Sequence, residues 1–113
     1  MTADAIGRQA EAIAARYLAE RGWTILAERV RTKAGEVDLV ARRDGVVAFV
    51  EVKARATAAA LDLALDERRL ARVAAAAEAL IPRFAASGED VRIDAVLIAP
   101  GRAPRHLENV WLG

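Results

Sequence analysis

The stretch that decides the fold covers residues 35–55 and reads GEVDLVARRDGVVAFVEVKAR. Two largely apolar runs, residues 36–42 and 46–54, flank the dipeptide Asp44-Gly45. An Asp-Gly pair between such runs favours a tight turn between antiparallel strands, because both of its residues tolerate a left-handed backbone. The sequence therefore predicts a β-hairpin in the middle of the chain.

A two-residue turn also fixes which residues face each other. Opposed positions then have numbers that sum to 89, so Asp38 lies opposite Glu51 and Glu36 lies opposite Lys53. All four side chains share one face of the hairpin, since side chains alternate along a strand. The other face is apolar and suits a packed helix; it carries Val37, Leu39, Ala41, Ala48, Val50 and Val52. A three-residue turn would instead put Asp38 and Glu51 on opposite faces.

The predicted facing carboxylates point to metal chemistry. Opposed like charges repel by up to about 1 kcal/mol at an exposed site, and a proton or a bound cation offsets that repulsion. Hard oxygen ligands without His or Cys favour Mg²⁺ or Mn²⁺. The chain has 15 arginines and two lysines, and one of these lysines is Lys53. Its ammonium would stabilise charge on a phosphate or help to deprotonate a metal-bound water. The alternative is that Glu36 and Lys53 form a simple cross-strand ion pair.

Outside the hairpin, the pattern predicts two helices and three more strands. The first helix covers residues 3–21 and precedes Gly22, and the second covers residues 56 to about 80, with Asp66 and Glu67 resembling an N-cap and a first-turn acid. Pro82 and Gly88 mark the end region of that helix, and the alternative is a kinked continuation to Ala86. Strands are predicted at residues 23–30, 91–99 and 106–112; the last is an edge strand that includes His106. The predicted order is α-β-β-β-α-β-β.

Composition narrows the class of protein. The chain has 113 residues, which predicts one domain, and a net charge of +1. It has no Cys, one His and one Ser, so thiol catalysis, a Ser-His hydrolase and a two-His metal site are excluded. No glycine-rich phosphate loop and no 18-residue apolar span occur. We expect a soluble cytoplasmic protein that does not enter a membrane.

Residues 35–40 (GEVDLV) and 49–55 (FVEVKAR) resemble the core of the PD-(D/E)xK nucleases. More narrowly, the chain resembles the YraN family of small bacterial nuclease-like proteins, which is related in fold to restriction endonucleases and Holliday-junction resolvases. The likeness covers nearly the whole chain, although Val37 stands where the superfamily motif has Pro. It implies an α/β fold with a restriction-endonuclease-like core, in which helices flank a mixed central sheet. Residues 1–113 would form a single nuclease-like domain.

The resemblance also implies roles for individual residues. Asp38 and Glu51 would bind Mg²⁺ or Mn²⁺, Lys53 would be the catalytic lysine, and Glu11 would be a further metal ligand carried by the first helix. Glu36 matches the motif and is a fourth candidate for the catalytic set. The basic residues around the hairpin, and one on the second helix where the family usually has a lysine, are candidate phosphate contacts: Arg29, Arg31, Lys33, Arg42, Arg55 and Arg69.

Two hypotheses about function follow. The first is a metal-dependent endonuclease that hydrolyses DNA, rather than RNA, with branched or structured DNA as the suggested substrate and a homodimer as the suggested assembly. The second is a module that keeps the nuclease fold and binds nucleic acid or a protein without turning anything over. Cleavage assays distinguish the two, since only the first predicts metal-dependent products.

Overall fold

The computed structural model describes residues 2–61 and 64–113. Its helices are α1 (Ala3–Glu20), α2 (Ala58–Leu61) and α3 (Glu67–Phe84); its strands are β1 (Thr24–Arg31), β2 (Glu36–Arg43), β3 (Val46–Ala54), β4 (Asp90–Ile98) and β5 (Arg105–Leu107). Within the described residues, no helix combines the length and the apolar character that a membrane crossing requires.

The five strands form one mixed sheet in the order β1-β2-β3-β4-β5. Neighbouring strands are antiparallel except for β3 and β4, which are parallel and joined by the crossover that contains α3. A parallel pair needs such a crossover because the chain must return to the same end of the sheet. The prediction of an α/β protein with a mixed sheet flanked by helices is confirmed at this level.

The hairpin has the predicted turn and register. Asp44 and Gly45 have φ values of 48° and 76°, the left-handed backbone that the tight turn requires. The ladder pairs Arg43 with Val46 and continues to Leu39 with Val50, so opposed positions sum to 89 as predicted. The alternative of a three-residue turn is therefore ruled out.

Both faces of the hairpin are buried, and this differs from the prediction that one face alone is apolar. α1 covers Leu39, Ala41, Ala48 and Val50, and its own residue Leu18 packs into the same cluster. α3 covers the other face, which holds Val40, Val47 and Phe49. Val37 was predicted to share the face of Leu39, but it packs into the cluster under α3. Central strands with a helix on each side bury both faces, which explains their nearly continuous apolar runs.

The predicted second helix is divided. α2 ends at Leu61 and α3 begins at Glu67, while residues 62 and 63 lie outside the described part of the chain. The predicted N-cap is confirmed, because the Asp66 side chain accepts a hydrogen bond of 2.7 Å from the Arg68 N–H. α3 also continues past Pro82 to Phe84. Pro82 lies in the last turn, where its missing N–H costs only one helical hydrogen bond.

The last strand is shorter than predicted, at three residues. Asn109 has a φ of 53°, and its N–H donates to a side chain on β4 rather than to the sheet ladder. The chain then packs across α3, where Val110 and Trp111 contact the core cluster under that helix. This left-handed residue interrupts the regular ladder, and the Val110 N–H then donates to the Ile93 carbonyl of β4 at 2.8 Å.

Candidate active site

A cavity of about 400 Å³ lies where β2 and β3 separate, and it is bordered by α1 and α3. The ladder between the two strands ends at Leu39 and Val50, one position before Asp38 and Glu51. Asp38 Oδ2 accepts a hydrogen bond of 2.8 Å from the Val52 N–H. This backbone donor of β3 is therefore bonded to a side chain of β2 and not to its backbone. The charged side chains that line the cavity are Glu11, Asp38, Glu51, Lys53, Arg55 and Arg69.

Asp38 and Glu51 are both buried, with exposed fractions of 6% and 2%. Burial disfavours the ionised form of Asp38, and the Glu51 carboxylate disfavours it further. Together they raise the pKa of Asp38 from 3.8 to about 7, although the hydrogen bond from Val52 opposes the shift. Asp38 is therefore only partly ionised near neutral pH, and a bound cation would favour its charged form.

Two cations already contact Glu51. Lys53 Nζ lies 3.2 Å from Glu51 Oε1, and Arg69 Nε donates to both carboxylate oxygens at 3.3 and 3.2 Å. Lys53 reaches Glu51 from two positions along β3, whereas Arg69 comes from the first turn of α3. The position of α3 on the sheet thus decides which guanidinium faces the cavity.

Glu11 brings α1 into the site. Its carboxylate is 8% exposed and lies 2.9 Å from Arg29 Nε. Burial raises the pKa of Glu11 above its ordinary value, and the Arg29 guanidinium opposes that shift. Arg29 has a φ of 52°, a left-handed backbone that is uncommon for a residue with a side chain.

Several predicted residues do not line the cavity. Glu36 forms an ion pair of 3.1 Å with Arg31, its neighbour on β1, and the prediction that Glu36 faces Lys53 is wrong. The reason is that the β2–β3 ladder stops before these positions. Arg42 lies near Glu89, at 3.9 Å, and Lys33 is exposed in the turn before β2. Arg55 and Arg69 are the predicted phosphate contacts that do line the cavity.

The cavity offers a pair of carboxylates rather than a preformed metal cage. Across residues 2–61 and 64–113, no three Asp, Glu, His or Cys side chains are grouped so that they could hold a metal ion. Two hard carboxylates still fit Mg²⁺ or Mn²⁺, which keep several waters and share a phosphate oxygen of the substrate. Glu11 lines the same cavity and pairs with Arg29, as Glu51 pairs with Lys53 and Arg69.

A second buried carboxylate, that of Asp94, is surrounded by hydrogen-bond donors, and this cluster was not predicted from the sequence. Asp94 is fully buried, and its oxygens accept hydrogen bonds from Arg92 Nε and Nη2 at 3.1 and 2.8 Å, His106 Nε2 at 2.7 Å and Asn109 N at 3.0 Å. Burial alone would raise the pKa of Asp94, but these hydrogen bonds lower it overall. The sequence signal was one Asp within the apolar run of β4.

Comparison with known proteins identifies relatives over most of the chain. The model of the uncharacterised protein family UPF0102 matches residues 10–98. A UPF0102 protein of Erythrobacter litoralis is 58% identical over 109 residues, covering 96% of this chain and 94% of the relative. A UPF0102 protein of Sphingopyxis alaskensis is 60% identical with the same coverage, and one of Rhizorhabdus wittichii is 58% identical over 107 residues, covering 95% and 91%.

Proposed function

The chain belongs to the UPF0102 family, and we propose that it is a Mg²⁺- or Mn²⁺-dependent endonuclease that hydrolyses phosphodiester bonds in DNA. The observation that carries this proposal is the pair of buried carboxylates, Asp38 and Glu51, in one cavity beside the Lys53 ammonium. The same placement supports a restriction-endonuclease-like core, since both acids lie where the central hairpin strands separate.

The chemistry of the cavity fits a hard divalent cation. Asp38 and Glu51 would hold the ion, which supplies charge for a phosphate oxygen and lowers the pKa of a bound water. Binding would remove the electrostatic cost of placing two carboxylates in a buried site, which is the cause of the raised pKa of Asp38. Burial first, and the Glu51 carboxylate second, disfavour the ionised form of Asp38, and a bound cation would offset both.

Lys53 and Arg69 supply positive charge on the substrate side of the site. Both contact Glu51 now, and the cavity leaves space beside them for a phosphate. A phosphodiester that enters would offer these donors a second anion, so their side chains can stabilise the negative charge that develops during hydrolysis. Lysine suits this position because its compact ammonium can lie beside a metal, whereas arginine is wider and permanently charged.

One observation favours the alternative of an inactive binding module. Lys53 and Arg69 together neutralise Glu51, so the charge of that carboxylate is already balanced within the chain. A module of this kind would bind nucleic acid through Arg55 and Arg69 without needing a metal. The two functions differ in whether a divalent cation binds at Asp38 and Glu51.

The test combines metal binding with DNA cleavage. Mn²⁺ titration calorimetry should show binding to the wild type and none to Glu51→Gln, while Glu78→Gln, an exposed acid on α3, serves as the matched control. Labelled duplex, flapped and four-way DNA should be cleaved only with Mg²⁺ or Mn²⁺. Lys53→Met should lower the rate at saturating DNA by at least about 100-fold.

The other lysine provides the control for that variant. Lys33 is exposed and outside the cavity, so Lys33→Met should change the rate at saturating DNA by less than about twofold. Absence of metal-dependent products on all three DNA substrates, whether or not Mn²⁺ binds, contradicts the proposal that the protein is an endonuclease. Salt-sensitive DNA binding that survives Glu51→Gln would then support the binding module.

A further inference from the structure

A second cavity adjoins the carboxylate site, and nothing in the proposed hydrolysis uses it. It is an apolar groove of about 540 Å³ between α1 and the loop over residues 99–104. Ile6 and Ile13, one heptad apart on α1, line it and are 47% and 44% exposed. Exposed large apolar side chains that border a cavity of this size are typical of a binding surface.

The groove is continuous with the candidate active site. Four residues line both cavities: Ile6, Ala10, Ala54 and Arg55. A ligand that reaches the carboxylates therefore passes the mouth of the groove, and a strand of nucleic acid can occupy both at once. This continuity distinguishes the groove from the small surface cavity between α3 and β4, which shares no lining residue with the site.

The charges at the groove suit a polyanion. Its charged lining residues are Arg55 and Arg102, and no acidic residue lines it among the described part of the chain. Arg55 Nη1 donates to the carbonyl of Ala54, and both arginine side chains are exposed. Neither guanidinium is engaged by a carboxylate within residues 2–61 and 64–113, so both are available for phosphate.

The apolar lining suits the face of a base. Ile13, Pro100 and Pro104 offer aliphatic surface, and Gln9 is the one uncharged polar side chain that lines the groove. In a duplex the faces of the bases are stacked on their neighbours, so an unpaired base can place a face against aliphatic side chains without the cost of unstacking a base step. One glutamine amide, which can both donate and accept, reads little sequence.

We propose that this groove binds an unpaired nucleotide of a DNA strand whose neighbouring phosphodiester lies at Asp38 and Glu51, with Arg55 and Arg102 contacting its phosphates. The inference rests on the proposed function, because it takes the carboxylate site as the place of the scissile phosphate. It names the substrate class: DNA with an unpaired segment beside the cleaved bond, recognised with little dependence on base sequence.

The test compares two DNA molecules of equal length and sequence, a full duplex and a duplex with a short single-stranded gap, by fluorescence anisotropy in EDTA. The wild type should bind the gapped DNA at least about tenfold more tightly. Ile13→Asp should reduce this preference to less than about twofold. Leu26→Asp, which alters an exposed apolar residue on β1 outside the groove, should keep the preference.

A second variant and a spectroscopic reading exclude trivial loss of folding. Arg102→Glu lies in a surface loop and should also reduce the preference. A 2-aminopurine placed in the gap should change its fluorescence on binding to the wild type, and this change should be lost with Ile13→Asp. Circular dichroism of each variant should match that of the wild type.

The outcomes separate this inference from the proposed function. Equal affinity for duplex and gapped DNA, or a preference that survives Ile13→Asp, overturns the groove assignment even if the protein cleaves DNA. A groove-dependent preference without any metal-dependent cleavage keeps the assignment and contradicts the endonuclease. A wild-type dimer in sedimentation equilibrium that Ile13→Asp converts to a monomer would assign the groove to a second copy of the chain and overturn the inference.

Discussion

Asp38 and Asp94 are two aspartates buried in the same sheet, and their surroundings shift their pKa values in opposite directions. Asp94 accepts four hydrogen bonds from three residues, and its pKa falls below the ordinary value although burial alone would raise it. Asp38 accepts one hydrogen bond from the backbone and lies near a second carboxylate, and its pKa rises to about 7. A buried carboxylate with a full set of donors holds the fold together, whereas one without them is available for a cation.

The largest expected loss of folding stability follows from removing the Asp94 carboxylate. Asp94→Ala removes the acceptor that Arg92 and His106 share, leaves these partly buried donors without it and should lower the free energy of unfolding by about 3–5 kcal/mol. Glu108→Ala, which removes the exposed second partner of Arg92, is the control and should cost less than about 1 kcal/mol. Urea denaturation at neutral pH measures both. Equal losses in the two variants would mean that Asp94 is not a structural centre.

The next effect is the pH dependence of Asp38. Its pKa in the folded chain lies above the ordinary value of 3.8, so the folded state holds the proton more tightly than the unfolded state does. The resulting stability is complete below about pH 4 and is lost as the pH rises through about 7. The separation between 3.8 and about 7 corresponds to at most about 4 kcal/mol.

Asp38→Asn isolates this contribution. In EDTA, the wild type should lose stability relative to Asp38→Asn between about pH 4 and about pH 8, because the amide cannot ionise. Mg²⁺ should reduce the loss in the wild type and leave the variant unchanged. Urea denaturation at several pH values measures the difference, and parallel pH profiles for the two proteins in EDTA would contradict a strained carboxylate at position 38.

The smallest expected change in stability concerns a third carboxylate, Glu36, which is partly buried. Glu36 pairs with Arg31, whose side chain is 87% exposed, so solvent screens the attraction. Arg31→Ala should therefore change the free energy of unfolding by less than about 0.5 kcal/mol, as measured by thermal denaturation at low and high salt. A larger, salt-insensitive loss would show that Glu36 belongs with the buried carboxylates after all.

Local patterns in the sequence were sufficient to predict the hairpin. Asp44-Gly45 fixed the turn, and the turn fixed the pairing of Leu39 with Val50. From this register alone, Asp38 and Glu51 could be placed near each other. The predicted pairing ends at Leu39 and Val50, so neither Asp38 and Glu51 nor Glu36 and Lys53 are ladder partners. Nothing local reveals where a ladder ends and two strands separate.

Such local patterns do not predict contacts between distant parts of the chain. Arg69 meets Glu51 across 18 positions, and Arg29 meets Glu11, because α3 and α1 lie on opposite faces of the sheet. His106 was placed on an edge strand, which is correct, but its bond to Asp94 depends on β5 pairing with β4. These contacts follow from packing, which periodicity does not encode.

The sequence by itself determined the hairpin, its register and the residue types that we propose for metal and phosphate chemistry, since turn preference and side-chain alternation act over a few residues. The tertiary structure alone decided which of the two buried aspartates receives a full set of hydrogen bonds. Asp94 receives its donors from β4, β5 and the segment that follows, whereas the packing of two helices on the sheet leaves Asp38 beside Glu51. Burial and donor supply are properties of the packed chain, and they set the pKa of each carboxylate.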